Sequence, residues 1–207
     1  MLTKKQLQIL SSFTSEEISY TCIKQRCGQL SNNMMQTALG QLVDNNIITC
    51  RKVGNVNLYA INPDCKSPYL ELIHQQKVNR SNFPRQTLYE IEQRIKEQTP
   101  FFILGVFGSY AAQNYSRFSD LDVVVIVQDQ KMKSTIEPML CSVARREVIE
   151  LDYYIFTVKD FKTMLSNRYE NISKQIAQCI LIWYGYHNFI EIMRDAYHER
   201  YIIPSAS

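Results

Sequence analysis

Apolar and polar positions along the chain follow two rhythms. Residues 101–107 (FFILGVF) and 123–127 (VVVIV) are near-continuous apolar runs, too short for a membrane span and suited to buried strands. Residues 147–157 (EVIELDYYIFT) are dense in β-branched and aromatic residues and predict a third strand. Its alternation puts Glu150, Asp152, Tyr154 and Phe156 on one face. Elsewhere the period is helical. Met35, Ala38, Leu39 and Leu42 fall at i, i+3, i+4 and i+7; Leu88, Ile91 and Ile95 make a second stripe; Met132, Ile136, Met139, Leu140 and Val143 make a third, on a helix predicted over 131–145.

Local signals place the ends of these elements. Thr3-Lys4-Lys5-Gln6 and Thr14-Ser15-Glu16-Glu17 have capping-box form, so a helix is expected to start at each. Gly28 closes the second helix, and Ser31 or Asn32 caps a third that ends at Asp44-Asn45-Asn46. Residues 47–53 and 56–61 flank Gly54-Asn55, a two-residue hairpin signal. Ser67-Pro68 opens a further helix, and residues 81–83 separate it from one beginning at Pro84. In the tail, 159–168 is expected to be helical, 177–183 to be an edge or covering strand, and Phe189, Ile190, Ile192 and Met193 to form the stripe of a last helix. Trp183, Tyr184 and Tyr186 suit core filling better than base stacking.

Composition sets limits. A chain of 207 residues with 45% hydrophobic and 21% charged residues is ordinary for one large or two small soluble domains. No apolar stretch reaches the roughly 18 residues of a membrane helix, and the first ten residues lack a signal-peptide core, so a cytoplasmic location without membrane attachment is expected. The six cysteines form no C-x-x-C pair and read as reduced thiols. None of the three histidines, His74, His187 and His198, lies at ligand spacing from another. Net charge is +3, too mild to establish a polyanion partner by itself. Its placement says more: residues 1–62 carry Lys4, Lys5, Lys24, Arg26, Arg51 and Lys52 against Glu16, Glu17 and Asp44, leaving the rest of the chain neutral.

The chemistry-bearing stretch is 105–127. A strand runs into Gly108-Ser109, where strand gives way to helix and backbone N–H groups near Ser109 and Tyr110 are expected to face an anion. Ser119-Asp120-Leu121-Asp122 then leads into the next strand, with the two carboxylates two residues apart and so on one face. An anion cradle beside paired carboxylates suits a metal-bound triphosphate.

This pattern resembles the nucleotidyltransferases of the polymerase-β type. It looks most like their minimal branch, in which Gly-Ser, a spacer and Ser-Asp-x-Asp follow one another. Gly108, Ser109, Ala111, Ser119, Asp120 and Asp122 match that form, whereas Ala112-Gln113 stands where the family often has Arg-Gly. The resemblance implies catalytic and metal-holding roles for Asp120, Asp122 and Asp152, with Glu150 as fallback for the third. It also implies nucleotide contacts from Gly108, Ser109 and Ser119, with Mg²⁺ or Mn²⁺ as cofactor and an NTP as substrate. The expected product is a nucleoside monophosphate joined to a hydroxyl of a protein, nucleic acid or small molecule. Some minimal nucleotidyltransferases are antitoxins that modify a partner toxin on a tyrosine, and this chain is similar to those.

Helix, helix, helix and hairpin over residues 1–62 resembles a winged helix-turn-helix domain. The resemblance implies a double-stranded DNA partner, bound as a homodimer, with Asn32, Asn33 and Gln36 reading bases and Arg51 and Lys52 on the wing contacting phosphates. Protein contact or dimerisation is the alternative use of such a domain. The expected fold class is α+β: a winged helix of three helices and a β-hairpin at 1–65, then a small mixed-sheet nucleotidyltransferase domain with flanking helices at 66–207, entered by a helical linker at 67–98. Two functions stay open: a working nucleotidyltransferase, or a DNA-binding regulator whose nucleotidyltransferase fold only binds or senses nucleotide.

Overall fold

The computed structural model describes residues 2–13, 17–28 and 30–198. Helix α1 (Lys4–Ser11) starts where expected because Thr3 and Gln6 form a reciprocal capping box. The helix start expected at Thr14 falls on Thr14, Ser15 and Glu16, which lie outside the described residues. Ile18 and Ser19 form a short strand, β1 (Ile18–Ser19), paired with Tyr59 and Leu58. Ser19 then caps α2 (Tyr20–Cys27), its hydroxyl accepting from the Cys22 N–H at 3.3 Å. Gly28, at φ 61°, ends α2.

Ser31 caps α3 (Asn32–Asp44), which buries Met35, Ala38, Leu39 and Leu42. Strands β2 (Ile48–Val53) and β3 (Val56–Ile61) form the hairpin about Gly54-Asn55, and the three-stranded antiparallel sheet has the order β1-β3-β2. Ile9, Leu10, Ile23, Met35, Leu39, Leu42 and Ile48 form its core with Ile73. Full burial of each such side chain stabilises by roughly 1.5–3 kcal/mol.

The chain divides into two compact units, Met1–Lys77 and Val78–Ser207. The division falls within α4 (Pro68–Arg80). In the second unit, α5 (Arg85–Lys96) presents Leu88, Ile91 and Ile95, all 0% exposed. The elements that follow are β4 (Phe102–Val106), the short α6 (Gly108–Ala111), β5 (Leu121–Val127), α7 (Gln130–Ala144), β6 (Leu151–Thr157), α8 (Val158–Ser166), α9 (Ile172–Gln178), β7 (Leu181–Tyr184) and α10 (Tyr186–His198).

The four strands of this unit form a mixed sheet, β6-β5-β4-β7, in which only the β5–β6 pair is parallel. Strand alternation divides its apolar residues between two cores. Leu104, Val106, Leu121, Val123, Val125 and Ile155 pack with α5 and α7 residues. Ile103, Phe107, Val124 and Ile126 pack with Phe161, Leu165, Ile176, Phe189 and Ile192 from α8, α9 and α10. Helices therefore cover both faces, which is why β5 reads as an unbroken apolar run.

Two tail predictions need correction. The strand expected from Glu147 begins only at Leu151, because pairing with β5 starts at Leu121↔Leu151 and Val148 is fully exposed. Ala177 belongs to α9, not to a strand. Asn171 caps that helix by accepting from the Lys174 N–H, and β7 starts four residues beyond Ala177. Trp183 and Tyr184 serve packing. The Trp183 indole N–H donates to Glu92 at 2.6 Å, and the Tyr184 ring stacks on Phe102 at 4.4 Å. Cys22, Cys27, Cys50, Cys65 and Cys141 are free thiols. Among the described residues no helix is long and apolar enough to cross a membrane.

Candidate active site

The ends of three strands meet at one end of the mixed sheet. Strand β4 finishes at Val106, opposite Val123, and the Phe107 N–H donates to the Asp122 carbonyl at 3.0 Å. Asp122 on β5 is the register partner of Asp152 on β6. Paired residues of parallel strands project to the same side and stand about 4.8 Å apart, so the two carboxylates are neighbours. Leu121 and Leu151 beside them turn to the opposite face and are buried there. Asp120 lies just before β5 and is half-buried, and Asp152 is exposed.

Gly108 locks onto this pair. Its φ is 63°, and a Cβ built there would stand 2.0 Å from Oδ2 of Asp122. The backbone of the strand-to-helix turn therefore lies against the carboxylate, an approach that only glycine permits. The next residue, Ser109, donates its backbone N–H to the Asp122 carboxylate.

The electrostatics follow from this crowding. Burial pushes the Asp122 carboxyl above its ordinary value, and the neighbouring charges of Asp152 and Asp120 push it further. The Ser109 N–H opposes them by favouring the charged form. Asp122 thus feels the charge of both other acids that the sequence singled out.

Ser119 plays a local part. Its hydroxyl accepts from the Ser116 N–H at 2.8 Å and fixes the turn 116–119 that delivers Asp120 and Asp122. Glu150 lies before β6 and is exposed; its carbonyl accepts from the Leu121 N–H at 2.8 Å.

Residues 88–180 match the family model of a nucleotidyltransferase domain. Gly108, Ser109, Ser119, Asp120, Asp122 and Asp152 all fall inside the stretch matched to that nucleotidyltransferase domain. No curated protein matches the chain. A solved structure of a toxin-antitoxin with AMP-PNP is similar over 57% of this chain and 89% of its own, at 13% identity and a TM-score of 0.37.

The donor set within the matched stretch suits a hard cation. Carboxylate oxygens are the ligands that Mg²⁺ takes, and a cation would relieve the mutual repulsion that raises Asp122. Among the described residues, however, no group of three or more His, Cys, Asp or Glu side chains converges closely enough to hold a metal ion by itself. Mg²⁺ commonly binds through one or two carboxylates, with water and substrate phosphates completing its shell. The Asp122–Asp152 pair fits that mode, and a closed protein cage does not.

In the first unit, the residues expected to meet DNA differ in their commitments. Asn33 and Gln36 are exposed on α3 and one turn apart. Asn32 accepts from the Lys24 ammonium through its side-chain oxygen. Arg51, on β2, is held by Glu17 through two bonds from its Nε, at 2.6 and 2.9 Å, and a third from Nη2. That engagement was not legible in the sequence, because the two residues are 34 positions apart. Lys52 is exposed beside it.

Proposed function

We propose that this chain is a metal-dependent nucleotidyltransferase that moves a nucleoside monophosphate from an NTP to a hydroxyl acceptor. The observation that carries the reading is the pairing of Asp122 with Asp152 across parallel strands, with the glycine turn at 108 and the Ser109 amide packed against Asp122. Paired carboxylates, with Asp122 raised by burial and by the charge of its neighbours, have little structural use without a cation.

In this account Asp120 and Asp122 would hold the Mg²⁺ or Mn²⁺ that binds with the triphosphate, and Asp152, paired with Asp122, would hold the cation on the acceptor side. When bound, the cation neutralises charge on the phosphates and favours loss of the pyrophosphate group. Gly108 lets the backbone come close, and the Ser109 hydroxyl, left over once its N–H is engaged, contacts the β- and γ-phosphates. Asp152, the exposed member, orients the acceptor hydroxyl and takes its proton as the oxygen attacks the α-phosphorus. Most of the rate gain is positional and electrostatic. The acceptor of this reading includes a protein such as a partner toxin.

Residues 1–65 are proposed to form a winged helix for DNA or partner binding, with α3 as the recognition helix and the β2–β3 hairpin as the wing. A helix, a short strand, two further helices and a hairpin, in this order, support that reading. Asn33 and Gln36 would reach base edges and Lys52 a phosphate, with Asn32 and Arg51 contributing once released from Lys24 and Glu17. A homodimer would supply the second half-site.

The test is transfer of label from an α-phosphate-labelled NTP, with Mg²⁺, into host lysate. Label that reaches an acceptor with the wild type and not with Asp122→Ala supports the enzyme. No Asp122-dependent label with any of the four nucleotides rejects it in favour of a nucleotide-sensing regulator.

A further inference from the structure

The sheet face that carries Asp122 and Asp152 also carries an aromatic ring that the transfer chemistry leaves unused. Tyr154 stands two residues beyond Asp152 on β6 and so projects to the same side. Its flanking residues, Tyr153 and Ile155, turn to the opposite core. Its register partner on β5 is Val124, fully buried.

The ring is braced and not enclosed. Phe107 meets it edge-on, with centroids 5.7 Å apart and planes at 64°. Phe156 lies nearly parallel to it, at 6.4 Å and 9°. Phe107 is 5% exposed and fills the core, whereas Tyr154 remains 38% exposed. Among the described residues its hydroxyl has no hydrogen-bond partner. A tyrosine that served only to pack would be covered or bonded through its hydroxyl. This one is held in a fixed plane with surface left over, which lowers the entropy cost of binding a planar group.

The bracing residue ties the ring to the site. Phe107 immediately precedes Gly108 and Ser109, and its N–H is bonded to the Asp122 backbone. The exposed ring, the glycine turn and the carboxylates therefore adjoin through direct contacts. A nucleoside triphosphate brings one planar group to such a site, its base.

We infer that Tyr154 is the platform on which the nucleobase of the bound triphosphate stacks. This rests on the nucleotidyltransferase reading and deepens it. Stacking uses a π-face that every base has, so Tyr154 contributes affinity with little selectivity among bases.

Calorimetric titration with Mg²⁺ and either ATP or inorganic tripolyphosphate tests it, in wild type, Tyr154→Ala and Tyr154→Phe. Tyr154→Ala should bind ATP about tenfold more weakly. Tyr154→Phe should bind ATP like wild type, and tripolyphosphate, which has no base, should bind all three proteins alike. Unchanged ATP affinity in Tyr154→Ala overturns the inference and leaves the nucleotidyltransferase reading standing. Equal loss of ATP and tripolyphosphate in Tyr154→Ala, or loss of ATP in Tyr154→Phe, also overturns it, by showing a structural or a hydroxyl role. A wild type that binds neither ATP nor any of the other three NTPs removes both the reading and the inference.

Discussion

A Cβ on Gly108 would stand 2.0 Å from Oδ2 of Asp122, closer than any packed pair of atoms tolerates. The turn and the carboxylate are thus built as one unit. Gly108→Ala should destabilise by about 1–3 kcal/mol, because the left-handed backbone and the clash add. Thermal unfolding measures this. Truncating the clashing group in the same chain, as Gly108→Ala with Asp122→Ala, should recover part of the loss. A double variant whose loss equals the sum of the two single losses would show that the two residues are not in contact.

Asp122 makes stability depend on pH in an unusual direction. Its carboxyl is raised in the folded protein, first by burial and then by Asp152 and Asp120, so the folded state holds the proton more tightly than the unfolded one. Stability is therefore fullest below the ordinary value of 3.8 and is lost as pH rises through the raised folded value. Asp122→Asn carries no such charge. At pH 7 without divalent cation it should melt above wild type, and the gap should close toward pH 3. Mg²⁺ should raise the wild-type Tm and narrow the gap at pH 7. A variant that melts below wild type at pH 7 would show that repulsion is not what governs this carboxyl.

The runs at 101–107 and 123–127, with glycine and the acids spaced between them, made this part of the site legible in the sequence. Each signal was local: buried strands need apolar runs, and Gly108 needs the freedom of glycine. What stayed hidden depended on distant partners. Strand β1 exists because Ile18 meets Tyr59. Strand β6 starts at Leu151 because its pairing with β5 starts there. Helix α9 was misread because Ile176 and Ala177, apolar for the core under α8 and α10, look the same in a strand. The alternation of β6 did put Tyr154 on the Asp152 face, but only the structure shows its ring partly exposed beside Phe107.

Asp152 and Asp122 should fail differently. Asp152 is exposed and is assigned to the acceptor side, whereas Asp122 is inside the glycine turn. Asp152→Asn should lower transfer about a hundredfold or more while leaving NTP affinity within about threefold. Asp122→Asn should lower both. Steady-state kinetics beside calorimetric NTP binding separates the two, and equal loss of NTP affinity in both variants would remove the distinction.

Glu17 holds Arg51, and Arg51 keeps the Glu17 carboxyl below its ordinary range. Both side chains are partly exposed, so Glu17→Gln should change Tm little, by under about 1 kcal/mol in stability. It should also free a guanidinium beside Lys52. If the β2–β3 hairpin meets phosphates, the variant should bind duplex DNA more tightly, with a salt slope steeper by about 0.9. Fluorescence anisotropy across a salt series measures both. Unchanged affinity and slope would place Arg51 away from the nucleic acid.

The most direct test of the central claim asks which phosphorus is attacked. Wild type and Asp122→Asn are incubated with Mg²⁺, lysate as acceptor source, and NTP labelled in parallel at the α- or the γ-phosphate. Nucleotidyl transfer predicts that acceptor label comes from the α-labelled NTP alone, that γ-label leaves as pyrophosphate, and that both signals vanish with Asp122→Asn. Label reaching the acceptor from the γ-phosphate, or α-label that persists without Asp122, would contradict the account.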